Sequence, residues 1–147
     1  MTDLSHDPDF FALLTGSYAR RLGESLVPAG ADAAWLYAAA PFAVLAHDGA
    51  ADPRFVYGNR AAQACFGYAW DELIGLPSRL SAEAPERAER QRLLDAVARD
   101  GFSRGYRGLR IAKDGRRFWI ERAVVWQLDR DGVTLGQAAT FSDWRDA

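Results

Sequence analysis

The chain is poor in the residues that bind metals or attack substrates. Cys65 is its only cysteine, and His6 and His47 are its only histidines. A lone cysteine forms no intrachain disulfide, which fits a reducing compartment. One cysteine and two histidines also fall short of a closed zinc site. The sequence contains no glycine-rich phosphate loop, no H-E-x-x-H, no cysteine pair and no G-x-S-x-G. With no nucleophile beside a visible base, the expectation is a protein without catalytic turnover. No apolar run approaches the roughly 20 residues that span a bilayer. The opening residues Met1 to Asp7 carry acids where a signal peptide carries positive charge, so a cytoplasmic location is expected. An excess of basic charge is missing too: the net charge is −2 and the pI is 5.7. The arginines lie scattered among acids, which argues against a nucleic-acid surface.

What is present reads as one folded domain: 147 residues, 49% hydrophobic and 26% charged. Residues 8–26 have the pattern of an amphipathic helix, with Asp7 as N-cap, Pro8 in the first turn and Asp9 at the positive end of the dipole. Phe10, Leu14, Tyr18 and Leu22 recur at a spacing of four and define a broad apolar face. A second short helix, capped by Asp32, leads to Pro41. Residues 1–40 are thus read as a helical extension and 41–145 as the domain proper. Strands are expected near 42–47 and 54–58. Asn59 caps the next helix, and a longer helix covers roughly 85–99.

The last third reads as strands near 105–112, 116–128 and 133–143, joined at Asp114-Gly115 and Asp131-Gly132. Alternation places Phe118, Ile120, Arg122, Val124 and Trp126 on one face, and Trp119, Glu121, Ala123 and Val125 on the other. Both faces carry large apolar groups, so both sides of the sheet need cover. The N-terminal helix or a partner subunit supplies it on the side away from the other helices. Arg122 is the single charge on its face. It demands a carboxylate such as Glu72, an acidic ligand, or a strand bulge that turns it outward. Arg79, Arg87, Arg90 and Arg92 read as a solvated helix face.

Tyr57-Gly58-Asn59-Arg60-Ala61-Ala62, the run from Phe66 to Gly75, and Lys113-Asp114-Gly115-Arg116 together resemble a PAS domain. Further segments narrow the resemblance: Trp35-Leu36-Tyr37, Ala46-His47-Asp48, Gly75 to Ser81, Ile120-Glu121, Val125-Trp126 and Gly136 to Trp144. These are similar to bacterial stand-alone MEKHLA-domain proteins over residues 10–144. The resemblance implies an α+β, PAS-like fold: a five-stranded antiparallel sheet, its first strand interior, with helices between strands two and three. It also implies a sensory or regulatory role. The homeodomain and zipper that accompany this domain in plant transcription factors have no counterpart here, so transcriptional regulation does not carry over.

PAS-like domains hold ligands between sheet and helices, and alternation with helical spacing places Tyr57, Phe66, Leu73, Leu80, Leu109, Arg122, Val124 and Trp126 around that cleft. An apolar lining with one arginine suggests a small organic acid or an aromatic metabolite. Haem is disfavoured because residues 59–100 contain no histidine. Flavin photochemistry is disfavoured because Cys65 lacks the motif that the light-sensing branch requires. The cofactor is therefore left unknown. His47 beside Asp48 reads as a hydrogen-bonding partner of the adjoining turn; an inward His47–Asp48 pair would revive an enzymatic reading. The exposed apolar face of Phe10, Leu14, Tyr18 and Leu22 predicts a homodimer through the N-terminal helix. Three readings result: a sensor that binds a small molecule and signals through an unidentified protein partner, a ligand-free interaction module, and a small enzyme.

Overall fold

The computed structural model describes residues 3–147. Helix α1 (Pro8–Leu22) starts where the Asp7 carboxylate accepts from Asp9 N, and it stops at Gly23, whose left-handed φ of 72° closes the last turn. It is therefore shorter than the apolar pattern suggested, because Gly23 ends the helix before Leu26 can join it. Helix α2 (Ala33–Ala38) is capped by Asp32. Next come strands β1 (Ala43–Asp48) and β2 (Phe55–Gly58), then helices α3 (Arg60–Phe66), α4 (Trp70–Leu73), a 3₁₀ turn (Ser78–Ser81) and α5 (Ala84–Asp100). The chain ends in strands β3 (Phe102–Ile111), β4 (Arg117–Arg130), β5 (Val133–Phe141) and β6 (Asp143–Asp146).

All pairings among these strands are antiparallel, in the order β2-β1-β5-β4-β3. Strand β1 is interior, as expected, flanked by β2 and β5. β6 extends the β5 side of β4, pairing Phe118–Glu121 with Asp146–Asp143. At the second hairpin Asp131 (φ 53°) and Gly132 (φ 79°) both take left-handed conformations, which is what a two-residue turn between twisted strands requires. β1 and β5 approach closely at Asp48 and Gly136. A side chain at Gly136 would sit 2.1 Å from the His47 carbonyl oxygen, so only glycine fits there.

Two hydrophobic clusters lie on the two faces. On the outer face, Phe10, Leu13, Leu14, Tyr18 and Leu22 of α1 pack with Leu36, Val44, Ala46, Tyr57 and Trp126. On the inner face, Phe66 and Leu73 pack with Leu45, Phe55, Phe118, Ile120 and Phe141. The inner face carries α3, α4 and α5. Asn59, fully buried, fastens the two halves together: its Oδ1 accepts from Val44 N and Ala62 N, while its Nδ2 donates to the carbonyls of Leu36 and Phe42.

Candidate functional site

Two strand irregularities decide which side chains reach the inner face. In β4, Ile120 pairs with Gly108 and Ala123 with Tyr106, so three steps on one strand match two on the other. The extra residue is accommodated at Arg122, whose φ is 50°. Alternation changes phase there: Phe118 and Ile120 face inward before the bulge, and Ala123 and Val125 after it. In β2, His47 pairs with Phe55 but Ala46 with Tyr57, an extra residue that places Phe55 inward and Tyr57 outward.

The expected ligand set is accordingly split. Phe66 lines a cavity on the inner face, and Leu73 is buried in the same cluster beside it. Tyr57, Val124 and Trp126 lie on the opposite face, in the cluster built on α1. Arg122 points outward, its side chain 79% exposed and 2.7 Å from the Asp143 carboxylate. The bulge alternative is the one realised. Arg122 and Val124 border a surface groove beside Tyr18 instead. Leu109 pairs with Trp119, on the strand positions between the inward Gly108 and Arg110. Leu80 is half-buried on the 3₁₀ turn, and Ser81 takes the cavity position. Glu72 binds Lys113 at the surface. Phe10, Leu14, Tyr18 and Leu22 are buried against the chain's own sheet, where they pack on the outer-face side chains Tyr57 and Trp126.

The cavity itself has a volume of about 60 Å³ and lies between α5 and strands β1, β2, β3, β4 and β5. Leu45, Phe66, Ile120 and Phe141 form its apolar wall. Its polar wall is Arg90 from α5, Arg110 and Tyr106 from β3, His47 from β1 and Gln137 from β5. Arg90 and Arg110 are 8% and 6% exposed. Arg90 Nη2 donates to Ser78 Oγ at 2.9 Å. Arg110 donates to the Leu109 carbonyl and to the Tyr106 hydroxyl, which in turn donates to Glu89 at 2.7 Å. Neither guanidinium has a carboxylate within 4.0 Å among the described residues. Burial, with Arg110 nearby, pulls Arg90 down to about 10.

His47 Nδ1 lies 2.9 Å from the Asp48 carbonyl, which can only accept, so that nitrogen carries the hydrogen. Nε2 is then an acceptor, buried and without a partner among the described residues. Burial holds the imidazole below its ordinary range; the Asp48 carbonyl opposes this and Arg90 adds to it. The Asp48 carboxylate is engaged elsewhere, accepting from Ala50 N and Arg54 N, so no His47–Asp48 acid–base pair forms. Gln137 Nε2 donates to the Leu94 carbonyl and to Gln127 Oε1, while its own Oε1 meets no donor among the described residues.

Sequence reasoning missed Arg90 as a cavity residue, although its position carried a signal: 90, 93, 94 and 97 share one helical face, and Leu93 and Leu94 line the same cavity. Cys65 is buried and its thiol is pushed up to about 12. Among the described residues no cluster of three histidine, cysteine or carboxylate groups is placed to hold a metal ion. Nor is any helix among them long and apolar enough to cross a membrane.

The fold is similar to the PAS domain of a protein from Colwellia psychrerythraea, with a TM-score of 0.64 at 19% identity, covering 78% of this chain and 92% of that one. It is also similar to the LOV domain of a blue-light activated histidine kinase from Erythrobacter litoralis, with a TM-score of 0.57 at 21% identity, covering 73% and 96%. None of the curated proteins compared with the chain matches it. The order of strands and helices is thus a PAS/LOV order, and the MEKHLA domain pattern matches residues 8–146, α1 included. The chain belongs to the MEKHLA domain family.

Proposed function

We propose that this chain is a sensory or regulatory module that holds a small organic ligand between α5 and the sheet and signals through contacts with another protein. One observation carries the reading: two buried acceptors on residues that wall a cavity, His47 Nε2 and Gln137 Oε1, have no partner among the described residues. A buried polar atom without a partner costs roughly 1–3 kcal/mol, and a ligand that supplies donors removes that cost. The volume of about 60 Å³ suits a few heavy atoms. A cavity that holds benzene is nearer 150 Å³, so a small acid fits better than an aromatic metabolite.

The cavity touches both α5 and five strands, so a ligand there senses how the helix sits on the sheet. It shifts that arrangement only if it binds one arrangement better than another. The ligand-free interaction module remains the second reading, favoured by the same small volume, which one or two ordered waters would fill. Native mass spectrometry of protein purified from its own host separates the two. The expected result is a small-molecule adduct on the wild type that is absent from Ala139→Phe, which fills the cavity from β5. A wild type with no adduct, unchanged by metabolite extract of that host, supports the interaction module and overturns the sensor.

A further inference from the structure

We infer that the cavity ligand is a small hydroxycarboxylic acid, its carboxylate set against Arg90 and Arg110 and its hydroxyl donating to His47 Nε2 or Gln137 Oε1. The inference rests on the reading of the cavity as a ligand site and names the ligand's chemistry. The ion-paired arginines of this chain lie at its surface, with side chains 35–79% exposed. Arg90 and Arg110 invert that pattern, each more than nine-tenths buried and lacking a direct carboxylate among the described residues. A guanidinium keeps its proton under any ordinary condition, so two of them on one small cavity leave a positive charge that only an anion cancels well. Glu89 reaches Arg110 only through the Tyr106 hydroxyl and has no bond to Arg90.

The anion cannot be a bare carboxylate if the whole polar wall is to be satisfied. His47 Nε2 and Gln137 Oε1 are acceptors, and a carboxylate offers them nothing. The orientation of the Gln137 amide is fixed, since both partners of its nitrogen are carbonyl oxygens. A hydroxyl on the same small molecule supplies the missing donor. Its carbon chain then meets Leu45, Phe66, Ile120 and Phe141.

The test is calorimetric titration in chloride-free buffer with lactate, propionate and lactamide as probes. Propionate lacks the hydroxyl and lactamide lacks the charge. Lactate is expected to bind, with propionate about 10-fold weaker for one lost hydrogen bond. Arg90→Met and Arg110→Met should each weaken lactate by about 10- to 100-fold, as loss of a charged hydrogen bond does. Arg122→Leu should leave it unchanged. Circular dichroism melts confirm that each variant is folded. Should a Met variant fail to fold, Arg90→Lys and Arg110→Lys keep the charge, lose the two-pronged geometry and should still weaken lactate about 10-fold. Equal binding of propionate and lactate overturns the hydroxyl assignment. Lactamide binding like lactate, or arginine variants binding like wild type, overturns the anion assignment and leaves the cavity reading standing. If no probe binds while a host-derived adduct is seen, the hydroxy-acid inference falls alone; if neither is seen, both fall.

Discussion

Replacing Asn59 tests the junction on which the inner and outer halves depend. Its side chain makes four hydrogen bonds to backbone groups of three different elements and the loop before β1. Asn59→Ala leaves two N–H groups and two carbonyls without these partners in a site with no solvent exposure. At about 1 kcal/mol net per bond, the cost is about 4 kcal/mol. For a chain of this length that lowers Tm by about 8–16 °C. Asn59→Asp is the sharper variant. Aspartate caps a helix as well as asparagine does, so if Asn59 served only as the cap of α3, this variant would match wild type. In the structure it would keep the two accepted bonds and press a carboxylate against the carbonyls of Leu36 and Phe42. It should therefore lose several kcal/mol. Urea unfolding monitored by far-UV circular dichroism measures both, with the midpoint falling and the slope unchanged. An Asn59→Asp protein within about 0.5 kcal/mol of wild type would refute the reasoning, since that is the scatter of neutral surface changes.

The packing leads to three other expected outcomes. Leu14, with no exposed surface, should cost about 2–5 kcal/mol as Leu14→Ala in the same urea assay; a loss below about 1 kcal/mol would mean that α1 is not docked as described. His47 has its pKa lowered from 6.5 by burial, so below pH 6.5 the unfolded chain takes up the proton first and stability falls as pH drops toward the folded value. His47→Gln should remove part of the fall in urea midpoint between pH 7.5 and 5.5, and identical falls in both proteins would contradict this. The Cys65 thiol, pushed up to about 12, should react with an aromatic disulfide reagent at pH 8 only when the protein is unfolded. Labelling of the native protein at the rate of free cysteine would disprove it.

The architecture was legible because its signals are local: the Asp-Gly turns, the caps at Asp7, Asp32 and Asn59, and the spacing of apolar residues on α1. The site was less so. A single extra residue in β4 and another in β2 reverse the parity of every later position on the strand, and neither Arg122 nor Val56 announces a bulge by its chemistry. Trp126 and Val124 were assigned inward by counting across a break that alternation cannot see. Leu109 and Arg110 fail differently. With Tyr106 and Gly108 inward, parity places Arg110 inward as well, and preference for the apolar neighbour hid it. Arg90 was masked by the arginines around it, which do lie nearer the solvent.

Helix α1 covers the middle of the outer face, over β1 and β4, so that part of the sheet is already filled by the chain's own side chains. Releasing α1 would return Phe10, Leu13, Leu14, Tyr18 and Leu22 to water, at about 8–15 kcal/mol by side-chain transfer. That equals the whole folding free energy of an ordinary domain. The helix is therefore a permanent wall and not a hinged cover.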